Sequence, residues 1–182
     1  SYDFEPKTHW NLNEYINIID FERAVKISGS RFYILKNAGA RLQRALITWM
    51  LDLHTSKHGY TEIYAPALVR QETMLSSGNL PKFTENLYHD QEDDLWLIPT
   101  AEVPLTSLHG NEILDPGTLP LSYVAYSPCF RREKASAGRE TRGIKRVHQF
   151  DKVELYKLTQ PENSDHELAI LLDNAEQVLR QL

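Results

Sequence analysis

Arg131 and Glu133, with Phe150, Lys152 and Glu154 beyond them, are the residues of this 182-residue sequence whose types and spacing suit chemistry. Residues two apart on an extended strand point to one face. A guanidinium at 131 can grip a phosphate oxygen or a carboxylate in a bidentate fork. Beside it, the Glu133 carboxylate can accept hydrogen bonds from an amine. On a returning strand the Phe150 ring can stack on a nucleobase, and Glu154 can hold an ammonium or hydroxyl group. An anion clamp, a flat ring and two carboxylates suit a zwitterionic amino acid lying beside an adenine nucleotide. The same alternation also describes cross-strand ion pairs on a solvated sheet face, so the residues alone leave both readings open.

The run from Arg131 to Arg146, RREKASAGRETRGIKR, holds seven Lys/Arg and two Asp/Glu in a chain of formal charge −5. Apolar, strand-like runs flank it. An arginine-rich loop in that position suits an anionic ligand, and a solvated turn is the plainer alternative. The acidic total excludes a general nucleic-acid coat, so any nucleic-acid contact is local to this loop. No GxGxxG follows a strand and no GxxxxGK[ST] occurs, so a nucleotide must be held in some other way. The single cysteine, Cys129, excludes an intrachain disulfide, reads as a small core residue and agrees with a reducing compartment. No apolar run approaches the ~18 residues of a membrane span, and the first residues, SYDFEPKTHW, do not read as a signal peptide.

The elements that must position these residues follow from periodicity and end signals. Asp20–Ser28 reads as a short helix with Asp20 as N-cap and Gly29 as stop. Arg31–Leu35 is a strand candidate. Ala38–His58 is a longer helix, with Leu42, Ala45, Leu46, Trp49, Met50 and Leu53 at helical spacing. His54 and His58 lack the Glu of a zinc-binding HExxH and read as solvated imidazoles at the negative end of the helix dipole. Tyr60–Val69 reads as one strand, with Pro66 marking an edge or interface. A short helix over 71–77, a strand over 95–98 and a helical turn from Thr100 to His109 follow. Two long strands, 121–130 and 147–158, form a hairpin around the basic loop, with His148 as a structural hydrogen-bonding residue. Ser164 and Glu167 form a capping box opening a helix that carries Leu168, Leu171, Leu172, Ala175, Val178, Leu179 and Leu182 on one face. The hairpin favours an α+β fold, an antiparallel sheet flanked by helices, in one domain.

Cys129 to Leu155, CFRREKASAGRETRGIKRVHQFDKVEL, resembles motif 2 of the class II aminoacyl-tRNA synthetases in its seryl form. Ile98–Thr106, IPTAEVPLT, is similar to the serine-binding loop of that family. HGYTEIYAPALV (58–69), with its preceding helix, resembles motif 1, and His9-Trp10, GSRF (29–32) and LPKF (80–83) also match. The resemblance covers about His9 to Leu182. It implies a class II catalytic core that joins serine to ATP as seryl-adenylate and passes the seryl group to the 3′ end of tRNA-Ser. Carried over, Thr100, Ala101, Glu102 and Glu154 belong to the serine site. Arg131 is the catalytic residue, bridging the serine carboxylate and the α-phosphate. Arg132 and Glu133 lie at the ATP site, Val147 contributes backbone there, and Phe150 stacks on adenine. The loop 134–146 meets ATP and the tRNA acceptor end. The resemblance further implies ATP with Mg2+, no metal ligand among the assigned residues, a cytoplasmic homodimer formed through motif 1, and no membrane partner. Lys134-Ala135 departs from the family's Ala-Gly, and Glu140 from its Asp, which bears on the loop's conformation. Residues 1–182 read as a partial catalytic domain holding motifs 1 and 2, without the N-terminal helical arm and motif 3, which leaves open whether the fragment works alone. A synthetase-like paralogue serving as a binding or regulatory module, or a carrier-protein aminoacyl ligase, is the alternative.

The chemistry fits the residue types. Attack of a carboxylate on an α-phosphate needs no side-chain nucleophile. Two anions must be brought together in line, so catalysis is positioning plus charge neutralisation. A site whose groups hydrogen-bond the serine hydroxyl rejects alanine, because those groups are otherwise left unpaired.

Overall fold

The computed structural model describes residues 2–134 and 143–182. Helix α1 (His9–Ile16) leads through β1 (Ile19–Asp20) and α2 (Phe21–Ser28) to β2 (Ile34–Leu35), which pairs antiparallel with β1. The expected caps of α2 are in place. Asp20 Oδ1 accepts from the Arg23 N–H at 2.9 Å, and Gly29 ends the helix at φ +88°. The 20-residue α3 (Ala38–Lys57) follows.

The stretch 60–69 is two strands, not one. β3 (Thr61–Glu62) and β4 (Leu68–Arg70) lie in different sheets, and Pro66, which has no N–H to give a ladder, falls between them. After α4 (Gln71–Ser76) come β5 (Tyr88–Asp90), β6 (Leu95–Leu97), α5 (Glu102–Ser107), β7 (Leu121–Phe130), β8 (Gln149–Leu158) and α6 (Ser164–Gln181). The order β4-β6-β5 is antiparallel throughout. In β3-β7-β8 the long hairpin is antiparallel, and β3 adds one parallel pairing at its edge. The Ile98 N–H donates to the Ala67 carbonyl and the Phe130 N–H to the Ile98 carbonyl, which ties the small sheet to the open end of the hairpin.

Two apolar clusters meet at α5. Val69, Met74, Leu80, Leu87, Trp96, Ile98 and Val103 form one, and Ala101, Leu105, Tyr123 and Ala125 the other. Val103 serves the first and its neighbours Ala101 and Leu105 the second, so the turn entering α5 is locked from two sides. Cys129 is fully buried, and burial pushes its thiol up from the ordinary range.

Two expectations fail around α6, and its leucine face is left open. Ser164 already has helical dihedrals, and Glu167 is drawn to Lys157 Nζ at 2.5 Å, so no capping box forms. Of the leucine face, Leu168, Leu172, Leu179 and Leu182 are exposed, while the residue buried on that helix is Asn174, whose Nδ2 donates to Tyr60 Oη at 3.2 Å. His54 is not solvated. It is 2% exposed, edge-on to Tyr60, with its Nδ1 2.9 Å from His58 Nδ1, and His58 Nε2 donates to Gln177 Oε1 at 3.0 Å. Tyr60 against His54, and Gln177 of α6 against His58, therefore give both rings partners within the protein. No helix among the described residues is long and apolar enough to cross a membrane.

Candidate active site at the open end of the hairpin

Thr100 stands where β6 gives way to α5 and is buried. Its hydroxyl donates to Glu154 Oε2 at 2.5 Å, and its oxygen accepts from Lys152 Nζ at 2.7 Å and from the Glu102 N–H at 3.3 Å. Lys152 and Glu154 are also ion-paired with each other on β8. Contacts of both with Thr100 confirm the shared face expected from strand alternation. Phe150, the third member of that series, has the Arg131 guanidinium 4.9 Å from its ring centre.

Arg131 lies one residue beyond β7 and is held at three points. Its N–H donates to the His148 carbonyl at 2.9 Å, its carbonyl accepts from His148 Nδ1 at 2.8 Å, and its Nε donates to the Pro99 carbonyl at 3.2 Å. The carbonyl partner makes Nδ1 the protonated nitrogen of His148. Phe32 flanks that ring, with centroids 5.2 Å apart, and Tyr88 lies edge-on at 6.4 Å. His148 is thus the structural residue its sequence position suggests. With Nε committed to Pro99, the Nη groups of Arg131 are what this side chain can offer an anion.

Alternation fails at Glu133. The strand has ended at Phe130, and Glu133 adopts φ +50°, so it does not share the Arg131 face by strand geometry. Its carboxylate instead meets Arg146 Nη1 at 3.3 Å, and its carbonyl accepts from Arg31 Nη1 at 3.3 Å. The Arg132 guanidinium lies 5.8 Å from the Tyr88 ring centre. Chemically, the arrangement sets a hydrogen-bonded Thr-Lys-Glu group beside a cation over an aromatic ring, with a carboxylate–guanidinium pair, Glu133–Arg146, further out.

The family model of the tRNA synthetase class II core domain (G, H, P, S and T) matches residues 83–182. The chain belongs to that family. It is 62% identical over 178 residues to a serine–tRNA ligase of Dehalococcoides mccartyi, covering 98% of this chain and 43% of that protein. Seryl-tRNA synthetase of Pyrococcus horikoshii, solved as a complex with ATP, superposes with a TM-score of 0.94 at 44% identity, covering 100% of this chain and 40% of the other. The cytoplasmic serine-tRNA ligase of Naegleria fowleri, solved with AMP, gives 0.88 at 31% identity, covering 96% and 41%. The chain spans about two fifths of the length of the curated relatives it matches.

In this synthetase core the residues expected from the sequence fall into four places. Thr100, Glu154, Arg131 and Phe150 line up along the hairpin's inner face. Arg132, Glu133 and Arg146 lie at the feet of the basic loop. Ala101 and Val147 are buried, so what they offer a ligand is backbone. Glu102 is exposed and, with Glu154, lines a cavity of about 350 Å³ that continues over Lys157 and Glu167. Lys152 was not among the expected binding residues, although it is the middle member of the 150, 152, 154 series. The loop departures Ala135 and Glu140 lie outside the described residues, whereas Lys134 is described, its N–H donating to Asn86 Oδ1 at 3.0 Å.

Proposed function

We propose that the protein carrying this chain is a serine–tRNA ligase, which activates serine with ATP to seryl-adenylate and esterifies tRNA-Ser. The observation that carries the reading is the Thr100–Lys152–Glu154 group set along one face from the Arg131–Phe150 stack. Serine docks its hydroxyl and ammonium against Thr100 and Glu154, with Glu102 at the cavity rim. Arg131 draws the serine carboxylate and the α-phosphate together, and no side chain acts as nucleophile. Positioning and neutralisation of two anions supply the rate. Phe150 receives the adenine, and Arg132, Glu133 and the backbone at Val147 meet the nucleotide.

Among the described residues no group of three or more His, Cys, Asp or Glu could hold a metal ion. The divalent cation is proposed to arrive with the nucleotide, as Mg·ATP.

A second copy of the chain is the proposed partner through the motif 1 segment, and the cytoplasm the proposed location. Leu42, Tyr64 and Leu68, which are 55%, 89% and 49% exposed, support a self-association surface there. The reading is tested by ATP–pyrophosphate exchange with the full-length protein. Exchange that depends on serine and is weak with alanine is expected, and exchange indifferent to serine overturns it.

A further inference from the structure

Glu133 is a non-glycine residue held at φ +50°, a conformation that L side chains adopt only where the surroundings impose it. The imposing residue is Asn86. Its backbone carbonyl accepts from the Arg132 N–H at 2.9 Å, and its side-chain Oδ1 accepts from the Lys134 N–H at 3.0 Å. One residue thus holds the amides on both sides of Glu133. Asn86 is itself fixed. It closes a single 3-10 turn, Thr84–Asn86, its N–H donates to the Phe83 carbonyl at 2.8 Å, and the next residue, Leu87, is buried in the core cluster around Met74. Glu133's own carbonyl accepts from Arg31 Nη1 at 3.3 Å. With the backbone held in this way, the Glu133 carboxylate is aimed at Arg146 across the base of the loop.

We propose that Asn86 is a positioning residue for the nucleotide, acting through Glu133. This rests on the reading that Glu133 lies at the ATP site, and it adds a residue that touches neither serine nor the reacting atoms. The Oδ1 bond to Lys134 selects the left-handed backbone at 133. Without it the backbone relaxes toward an extended form, and the carboxylate swings away from Arg146. The serine group at Thr100 is unaffected, because it is built from β8 and the α5 entrance.

The test uses the full-length protein with Asn86→Ala, Asn86→Asp, Glu133→Ala and the Asn86→Ala/Glu133→Ala double variant. Should Asn86→Ala not fold, Asn86→Ser, whose hydroxyl falls short of the Lys134 N–H, takes its place. ATP affinity is measured by calorimetry without amino acid, together with the hydrogen exchange of the Lys134 amide. Asn86→Ala is expected to weaken ATP binding about tenfold, the scale of one lost hydrogen bond, and to speed exchange at Lys134. Asn86→Asp keeps an Oδ acceptor and is expected to restore both. The double variant is expected to bind no more weakly than Glu133→Ala. Unchanged ATP affinity in Asn86→Ala, or effects of the two substitutions that simply add, overturns the proposal. Because this readout needs no amino acid, a protein that shows the coupling but no serine dependence in pyrophosphate exchange sinks the serine reading and leaves the role of Asn86 standing.

Discussion

The Arg131 guanidinium lies 4.9 Å from the centre of the Phe150 ring, and the same guanidinium donates from Nε to the Pro99 carbonyl. The guanidinium and the aromatic ring are therefore one assembly, with the cation resting on the π-face. Pro99 immediately precedes Thr100, so the guanidinium is also anchored to the strand end that carries the Thr100 hydroxyl.

Phe150→Leu should disturb both functions of this assembly. Stacking on a base is worth about 1–3 kcal/mol, so KM for ATP is expected to rise roughly tenfold or more. The turnover number should fall with it, because Arg131 loses its support. Phe150→Trp keeps a π-face and should retain most activity. Steady-state exchange kinetics in ATP check this, and a rise in KM with kcat untouched would separate the ring from the clamp.

Thr100→Val removes the hydroxyl that joins Lys152 and Glu154 while keeping the shape of the side chain. A hydrogen bond to a charged group is worth about 1.5–3 kcal/mol. KM for serine should rise by about tenfold or more, ATP affinity should hold, and the preference for serine over alanine should shrink. Amino-acid dependence of exchange for both substrates measures it.

Gly143 has φ +92°, and a Cβ there would stand 2.0 Å from His9 Nε2 and 3.1 Å from Trp10 Cε3. The next amide, of Ile144, donates to that same His9 Nε2 at 2.9 Å. Gly143→Ala is expected to cost about 2 kcal/mol or more, from strain at positive φ plus displacement of α1. In a His9→Ala background the ring clash disappears, so the penalty should be smaller there. Denaturant midpoints of the four proteins give the coupling, and equal penalties in both backgrounds would remove the contact from the explanation.

His54 is held down to about pKa 4, first by burial and then by the neighbouring His58. Its donor assignment is fixed through the network. Gln177 Nε2 donates to Asp173 at 2.9 Å, so Gln177 Oε1 accepts from His58 Nε2, and His58 Nδ1 accepts from His54 Nδ1. An unfolded histidine titrates near 6.5, so between about pH 6.5 and 4 the unfolded chain binds more protons. Stability is therefore full above that window and falls as the pH drops through it, by up to about 3 kcal/mol. His54→Gln should flatten this part of the stability–pH curve, and an unchanged slope would place the titration elsewhere.

The long hairpin was legible because both strands are ten residues long, β7 largely apolar and β8 interleaving Phe150, Val153, Leu155, Tyr156 and Leu158 with polar residues, and the shared face of Phe150, Lys152 and Glu154 followed from alternation alone. Asp20 and Gly29 were legible for a similar reason, since a cap acts within one turn of its own residue. The misreadings share a different cause. At Glu133 alternation was extended past the last paired residue, Phe130, into a stretch whose shape is set by Asn86 and Arg31, both remote in sequence.

The end of α3 and the start of α6 failed in the same way. His54 and His58 look solvated on their own helix, yet Gln177 and Tyr60 close over them. Ser164 and Glu167 have the spacing of a capping box, yet Lys157 on β8 takes the carboxylate. Local periodicity carries local geometry, whereas buried polar partners come from elsewhere in the chain. Lys152 is the instructive intermediate case, on a face that alternation identifies but with a role visible only once Thr100 is beside it.

The most direct measurement is serine-dependent ATP–pyrophosphate exchange by the full-length protein with Arg131→Ala, supported by a melting curve showing that the variant folds. A loss of at least about 100-fold in kcat/KM is expected, the scale of one preorganised charge at a developing transition state. Exchange at the unsubstituted rate would contradict the assignment of Arg131 as the clamp that joins the two anions.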